Sequence, residues 1–417
     1  MSLSKRKVKK IDPTPFDRNK MPPAQNALVM PAVWGYGFLI GKKYGLKIHK
    51  ENMKGLKPPY LIFASHHSFM DFLITPLTIF PHPANYVSEL EGFEYYGEWK
   101  YRHIGCLGTR KFVDDMALIK NIKRVIAKGR IMVIYPEARY ANVGTNSRLQ
   151  PSVGKLAKML KVPVVTVNMK GNYLQSPIWN LTPRKGARLD ATITKVFDPE
   201  DLEKLSAAEI TEKLQEKLTY DDYAYQWENK IKINYEKRAE GLHKALYKCK
   251  KCGHDFSMDS KGARIFCRDC NASYYMNEYG RLIDEDDKET SIHIPDYYEW
   301  QRQEVIEEIK SGRYHLEMDV HIEALPNAKN FIDLGTAHLV HGEKGFDLTF
   351  KDYGEKEAKT MHFDSKSMSS IHTEYDYRGH GQCVTLSTLD NTYFLFPLEE
   401  GFNATKIQFA VEALFEL

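Results

Sequence analysis

At 417 residues the chain is longer than one hydrophobic core comfortably serves, and its length predicts two or three domains. With 42% apolar and 27% charged residues, its composition is that of a folded protein and excludes a disordered chain. The net charge of +4 is unevenly placed: residues 1–60 carry thirteen Lys and Arg against Asp12, Asp17 and Glu51, a local +10 that leaves −6 for the rest.

A basic N-terminal arm on an otherwise mildly acidic chain points to an anionic partner, lipid or nucleic acid. The apolar run at residues 27–40 is shorter than the roughly 18–20 residues that span a bilayer, and Pro31, Gly35 and Gly37 interrupt it. Trp34 and Tyr36 lie inside it and Lys42, Lys43 and Lys47 follow, which suits a segment lying in a membrane interface. The same run also reads as a helix packed on a core. It starts too late for a secretory signal, and no small-residue cleavage site follows it. Residues 1–58 are therefore taken as a basic arm with an interfacial segment.

From residue 59 short apolar runs alternate with amphipathic stretches. Residues 60–64 (YLIFA) predict a buried strand and residues 69–80 a short helix. Met116, Leu118, Ile119, Ile122, Val125 and Ile126 recur at helical spacing and stop at Gly129. Residues 131–134 predict a strand, 153–160 a helix and 162–167 a strand. Such alternation predicts an α/β domain with a mostly parallel sheet over residues 59–246. Ser206 and Glu209 form a capping box that opens a helix, continued by a polar, Tyr-rich helical region to about Leu246.

Cys249-x-x-Cys252 and Cys267-x-x-Cys270, separated by fourteen residues, have zinc-ribbon spacing, placing a ribbon at residues 247–278. With no export signal, these thiols predict structural zinc, a redox disulfide pair being the alternative. A closed four-thiolate site has no open position for substrate, and His254 beside it reads as a bystander. A charged connector, residues 279–318, contains a helix at 298–311. Beyond it the periodicity shifts to two. Residues 337–340, 346–350, 360–363, 383–389 and 393–396 predict strands, with turns at 342–345 and 390–391. An amphipathic helix at 403–417, with Ile407, Val411, Leu414 and Phe415 on one face, closes this small β-rich domain at 319–417. The arrangement resembles a pleckstrin-homology domain.

The strand at 60–64 runs into Ser65-His66-His67-Ser68-Phe69-Met70-Asp71. A His followed five residues later by Asp, at the carboxyl end of a strand, is a base with an orienting carboxylate. His66 and Asp71 take these roles; His67 reads as a packing or hydrogen-bonding neighbour. Three blocks follow: Gly105-Cys-Leu-Gly-Thr-Arg110-Lys111-Phe112, then Val133-Ile-Tyr135-Pro136-Glu137-Ala138-Arg139-Tyr140, then Val162-Pro163-Val164-Val165. Cys106 reads as a small buried residue, because His103 makes no nucleophile–base pattern with it.

In order and spacing the four blocks resemble the glycerolipid acyltransferase family that includes the lysophosphatidate acyltransferases, over roughly residues 25–220. The family's blocks read N-H-x-x-x-x-D, an Arg near the end of the second, F-P-E-G-T-R and V-P-V-x-P. The resemblance implies His66 as catalytic base and Asp71 as its partner. It further implies Arg110 as a phosphate ligand with Lys111 beside it, and Pro136 and Glu137 as residues shaping the acceptor site. Arg139 stands one position before the family's Arg, whose own place holds Tyr140. Ser65, Ala138 and Thr166 replace the family's Asn, Gly and second Pro.

The implied activity is transfer of a fatty acyl group from an acyl thioester, acyl-CoA or acyl-carrier protein, to the hydroxyl of a lysolipid. In phospholipid biosynthesis that lysolipid would be 1-acyl-glycerol 3-phosphate. The irregular third block keeps another lysolipid, such as a lyso-aminolipid, open as acceptor. An inactive membrane-docking scaffold is the rival from another class. The implied setting is peripheral or monotopic, at the cytoplasmic face of an anionic membrane. No nucleic-acid partner is expected, because the cysteine pairs lie in a region of near-balanced charge.

Overall fold

A computed structural model describes residues 11–417; residues 1–10 of the predicted arm lie outside the described residues. Its first elements are helix α1 (Met30–Lys43), β1 (Lys47–Glu51), β2 (Leu61–Ala64), α2 (Met70–Thr78), β3 (Ala84–Glu89), α3 (Leu90–Tyr96) and α4 (Glu98–His103). Then come β4 (Cys106–Thr109), α5 (Met116–Ala127), β5 (Ile131–Ile134), α6 (Ser152–Leu160), β6 (Val164–Lys170), α7 (Asn172–Gln175) and β7 (Asp190–Phe197). The seven strands form one sheet in the order β1-β7-β6-β2-β5-β3-β4. Every neighbouring pair is parallel except β6–β7.

The LIFA run becomes the central strand because both its faces are covered. Leu61 and Phe63 pack with Ile122, Val125, Ile210 and Leu214 on one side. Ile62 and Ala64 pack with Ile74 and Val167 on the other. Asp115 caps α5 by accepting from the amides of Ala117 and Leu118, and Gly129 follows the helix at φ +70°.

The predicted capping box opens helix α9 (Ala207–Leu218), which follows α8 (Pro199–Lys204). The helical region does not continue to Leu246, however. Thr219 is extended, Asp221 caps a separate short helix, α10 (Asp222–Glu228), and Lys230 turns into the left-handed region at φ +50°. Polar spacing that looked helical is instead a broken segment wrapped over the domain.

The second cysteine pair lies at the end of β9 and in the turn after it, in a five-stranded antiparallel sheet of β8 (Met258–Lys261), β9 (Arg264–Cys267), β10 (Ser273–Met276), β11 (Arg281–Asp284) and β12 (Ser291–His293), and the first pair lies in the turn that precedes β8. The sheet runs past residue 278 and absorbs the first part of the predicted connector. Helix α11 (Ile294–Lys310) starts earlier than expected, with Pro295 in its first turn, where the missing N–H costs no bond.

The last domain holds β13 (Leu316–Ala324), β14 (Ile332–Gly342), β15 (Gly345–Lys351), β16 (Ala358–Asp364), β17 (His372–Glu374), β18 (Cys383–Ser387) and β19 (Thr392–Pro397). Two antiparallel meanders, β13–β16 and β17–β19, join through β13 and β19. Helix α12 (Ala404–Glu416) follows, capped by Asn403 accepting from the Lys406 amide. Leu90 of α3 packs with Leu325, Phe394 and Phe396 of this domain, so the α/β sheet and the β domain share an apolar seam.

The apolar run at 27–40 contributes most of α1. Gly37 faces α2, where an added Cβ would stand 3.1 Å from the Leu73 carbonyl, so the two helices meet closely. Leu28 precedes the helix and is exposed, as are Tyr36, Phe38 and Leu39 on it. Trp34 and Phe38 both stack edge-on against Phe80. Among the described residues no helix is long and apolar enough to cross a membrane.

Candidate active site

Strands β2, β3, β4, β5 and β6 run parallel, so their carboxyl ends share one edge of the sheet. His66 follows β2, Glu89 ends β3, Arg110 and Lys111 follow β4, Glu137 follows β5 and Asn172 follows β6. Loops at that edge are free to carry chemistry while the strands hold them still.

His66 Nδ1 lies 3.1 Å from Asp71 Oδ2. That contact commits Nδ1 to the carboxylate and leaves Nε2 as the nitrogen that can take a proton. Tyr135 stacks on the imidazole at 4.4 Å between centroids, and Tyr140 leans on it at 4.6 Å. The Tyr135 hydroxyl donates to Thr75 Oγ1 at 3.1 Å, fixing the ring that fixes His66. The His66 side chain is 18% exposed and Asp71 is fully buried. Burial lowers the pKa of His66 below the ordinary imidazole value, with Asp71 opposing the shift. A neutral, oriented imidazole near a solvent-accessible edge can act as a general base.

Glu137 is braced from several sides. Its Oε1 accepts from the His66 amide at 3.0 Å, and its Oε2 accepts from the Ser147 amide at 2.7 Å. Burial pushes its pKa up to about 7, against the pull of those two amides. A cavity of about 400 Å³ opens beside it, bounded by Pro136, Arg139, Tyr298, Arg302 and Glu412. The third block thus faces a space between the α/β domain, α11 and α12.

Arg110 and Arg139 are engaged differently from what the resemblance implies. All five N–H groups of the Arg110 guanidinium donate into the β domain, to the carbonyls of Leu325, Pro326, Leu389 and Asp390 and to Thr392 Oγ1. Burial lowers its pKa to about 10. As folded here, Arg110 is an interdomain tie with no donor left for a phosphate. Arg139 donates to Glu412 of α12 at 3.1 Å. Lys111 pairs with Glu89 and also meets His372 of β17, with Nζ 3.0 Å from Nδ1. The predicted base, its carboxylate and Glu137 therefore converge, whereas the predicted cations hold the domains together.

Several site residues escape sequence reasoning. Asn172 donates to Asp71 Oδ1 at 2.7 Å, and Asp222 faces His67 Nδ1 at 3.3 Å. They lie 101 and 155 residues from their partners, and no local motif marks such pairs. Tyr135 and Tyr140 lie inside the third block, yet nothing in their spacing says that they grip the imidazole.

Residues 45–170 match the family model described as Acyltransferase. The match runs from just before β1 to the end of β6 of the α/β sheet. The solved structures similar to the chain include the 1-acyl-sn-glycerophosphate (LPA) acyltransferase PlsC from Thermotoga maritima. That match has 18% identity and a TM-score of 0.37, over 46% of this chain and 76% of that one. A search of curated proteins finds no significant match. The matched residues include both His66 and Asp71, while the β domain and the cysteine sheet lie beyond them.

On that cysteine sheet the four Sγ atoms lie within 4.8 Å of one another. Cys249 and Cys270 are 3.7 Å apart and Cys252 and Cys267 are 3.8 Å apart, too far for disulfides. Four thiolates around one tetrahedral zinc at about 2.3 Å would stand about 3.8 Å from each other, so the donor set fits that metal. Cys106 is buried and burial raises its thiol well above the ordinary range, consistent with an inert core residue.

Proposed function

We propose that this protein moves a fatty acyl group from an acyl thioester, acyl-CoA or acyl-carrier protein, to the hydroxyl of a lysolipid. The leading acceptor is 1-acyl-glycerol 3-phosphate, giving phosphatidate. The observation that carries the reading is the His66–Asp71 pair, its imidazole held by two tyrosines at the carboxyl edge of the sheet whose residues 45–170 match the Acyltransferase model. His66 Nε2 takes the hydroxyl proton as the oxygen attacks the thioester carbonyl. The tetrahedral intermediate then expels the thiolate, which recovers the proton from the imidazolium. Asp71 holds the ring and favours its charged form at that step. No covalent acyl-enzyme is needed.

A second reading follows from the arginines. Arg110 and Arg139 are committed to the β domain and α12, which favours a phosphate-poor acceptor such as a lyso-aminolipid, since it asks neither arginine to leave its partners. The four cysteines hold a structural zinc in this reading. The two joined meanders closed by α12 form a pleckstrin-homology-like domain. The exposed Tyr36, Phe38 and Leu39 of α1, near Lys42 and Lys43, rest on the cytoplasmic face of an anionic membrane.

Transfer from a labelled acyl thioester to lysophosphatidate, glycerol 3-phosphate, a lysophospholipid and a lyso-aminolipid tests the proposal. One acceptor should be acylated by the wild type and not by His66→Ala. No transfer to any acceptor by folded, vesicle-bound protein would favour the scaffold reading instead.

A further inference from the structure

Asp71 orients the base, and a second buried carboxylate holds Asp71 at one remove. Asp222, at the start of α10, is fully buried. It accepts from the Gly171 amide at 2.8 Å and from the Tyr173 amide at 3.0 Å. These residues flank Asn172, so one carboxylate pins the turn after β6 from both sides. Gly171 takes φ +83°, and a Cβ there would stand 1.9 Å from the Arg188 carbonyl oxygen, so the turn has no room for a side chain.

The pinned turn aims Asn172. Its amide donates to Asp71 Oδ1 at 2.7 Å, while Ser68 Oγ donates to the Asn172 carbonyl at 3.1 Å. The other oxygen of Asp71 receives the amides of His67 at 2.5 Å and Ser68 at 2.9 Å, and it faces His66 Nδ1. With both oxygens engaged, the carboxylate cannot rotate about its own axis. A neutral amide is the fitting partner at Oδ1, since it fixes direction without cancelling the charge that His66 needs.

A second branch leads from Asp222 to His67. Burial works against charge on His67, and the Asp222 carboxylate overrides it, raising the pKa. His67 Nε2 meets Ser65 Oγ at 2.9 Å, and that oxygen also accepts from the Met169 amide at 3.0 Å. Ser65, His67 and Asp222 stand in the order of a hydrolase triad, yet all are fully buried and no substrate reaches them. Their geometry braces the ends of β2 and β6 on either side of the base.

We infer that Asp222 and Asn172 are positioning residues for the base. Asp222 pins the 171–173 turn, Asn172 locks the Asp71 carboxylate, and the locked carboxylate sets the His66 ring. The inference rests on the reading of His66 as general base.

The test is a double-mutant cycle on the full chain, with acyl-CoA and lysophosphatidate, over wild type, Asn172→Ala, Asp71→Asn and the double variant. It is paired with an NMR titration of the His66 imidazole in histidine-labelled protein. Asn172→Ala should lower kcat about tenfold to a hundredfold, part of the 10²–10⁴ that a positioned base contributes, with KM within about twofold. In the Asp71→Asn background the same change should cost less than about twofold. His66 should titrate at lower pH in Asn172→Ala, because a loosened Asp71 supports less positive charge on the ring. Asn172→Ser, which keeps a hydroxyl, should recover part of kcat and serves as the second variant if the alanine does not fold. A loss of kcat that persists in full without Asp71, or an unmoved His66 titration in a folded variant, overturns the inference. If the wild type transfers no acyl group, the functional reading fails, and the titration still decides separately whether Asn172 sets the charge on the His66 ring through Asp71.

Discussion

Arg139 and Glu412 stand 273 residues apart and meet in an ion pair of 3.1 Å, joining the loop after β5 to helix α12. Arg302 of α11 pairs with the same carboxylate, and Ser370 Oγ donates to it at 2.6 Å. Burial works against charge on Glu412, but Arg139 and Arg302 outweigh it and hold its pKa below 4.5. Because the folded pKa is lowered, the stability from Glu412 is present above 4.5 and is lost as pH falls through the lowered value. Glu412→Gln should flatten that acid limb in thermal melts taken from pH 7 downward. At pH 7 it should cost about 3 kcal/mol, since Arg139 is left without its ion-pair partner and Arg302 keeps only Glu299. A melt that matches wild type at every pH would contradict the assignment.

At the base itself the expected losses are larger than any loss of fold. His66→Ala should reduce kcat about 10³-fold, and Asp71→Asn by about 10²-fold, in steady-state transfer assays. Both variants should bind acyl-CoA as wild type does. Activity surviving in His66→Ala would assign the proton to another group.

Burial holds the His66 pKa below 6.5, and the base must be neutral to act. The acid limb of kcat/KM should therefore lie below pH 6.5, and activity should stay on its plateau where an exposed histidine would already be half protonated. A limb at or above 6.5 would mean that substrate entry is not limited by this ring.

The cysteine sheet predicts one zinc per chain by elemental analysis. Chelation, or Cys267→Ser, should open residues 249–293 to protease, because metal binding of about 10–16 kcal/mol is folding energy for such small units. Protein that is folded and contains no zinc would refute the site.

Helix α1 offers a direct test of membrane docking. Tyr36→Glu with Leu39→Glu should weaken binding to anionic vesicles at least tenfold in sedimentation assays, while leaving the melting temperature within a few degrees. Both side chains are exposed, so the fold loses little and the interface loses apolar area.

The contact between His66 and Asp71 was legible because the two lie five residues apart beside a strand whose apolar run is unmistakable. LIFA and IMVI announce themselves as unbroken apolar runs, because both their faces are buried, and α5 by the helical period of its buried stripe. Strand β1, KIHKE, lies at the sheet edge with four exposed residues, and no apolar period could mark it. The block around Arg110 was legible as a block, but the β domain takes up its guanidinium, a partner about 215–282 residues away that no spacing encodes. Asn172 and Asp222 were missed on the same ground. Local patterns record which face a residue turns inward; they do not record whom it meets there.

Helix α12 gives the assembly an order in time. The loop that carries Glu137, and with it the hydrogen bond to the His66 amide, leans on Arg139 and Asn142, whose partners Glu412 and Gln408 sit on that helix. A growing chain that has left the ribosome only as far as residue 403 has its strands, its base and its cysteine sheet, yet lacks the prop for the loop. The loop beside the candidate site is thus braced only after everything else in residues 11–403 has been synthesised, and a chain stopped short there holds His66 and Asp71 in place but lacks the α12 partners of Arg139 and Asn142.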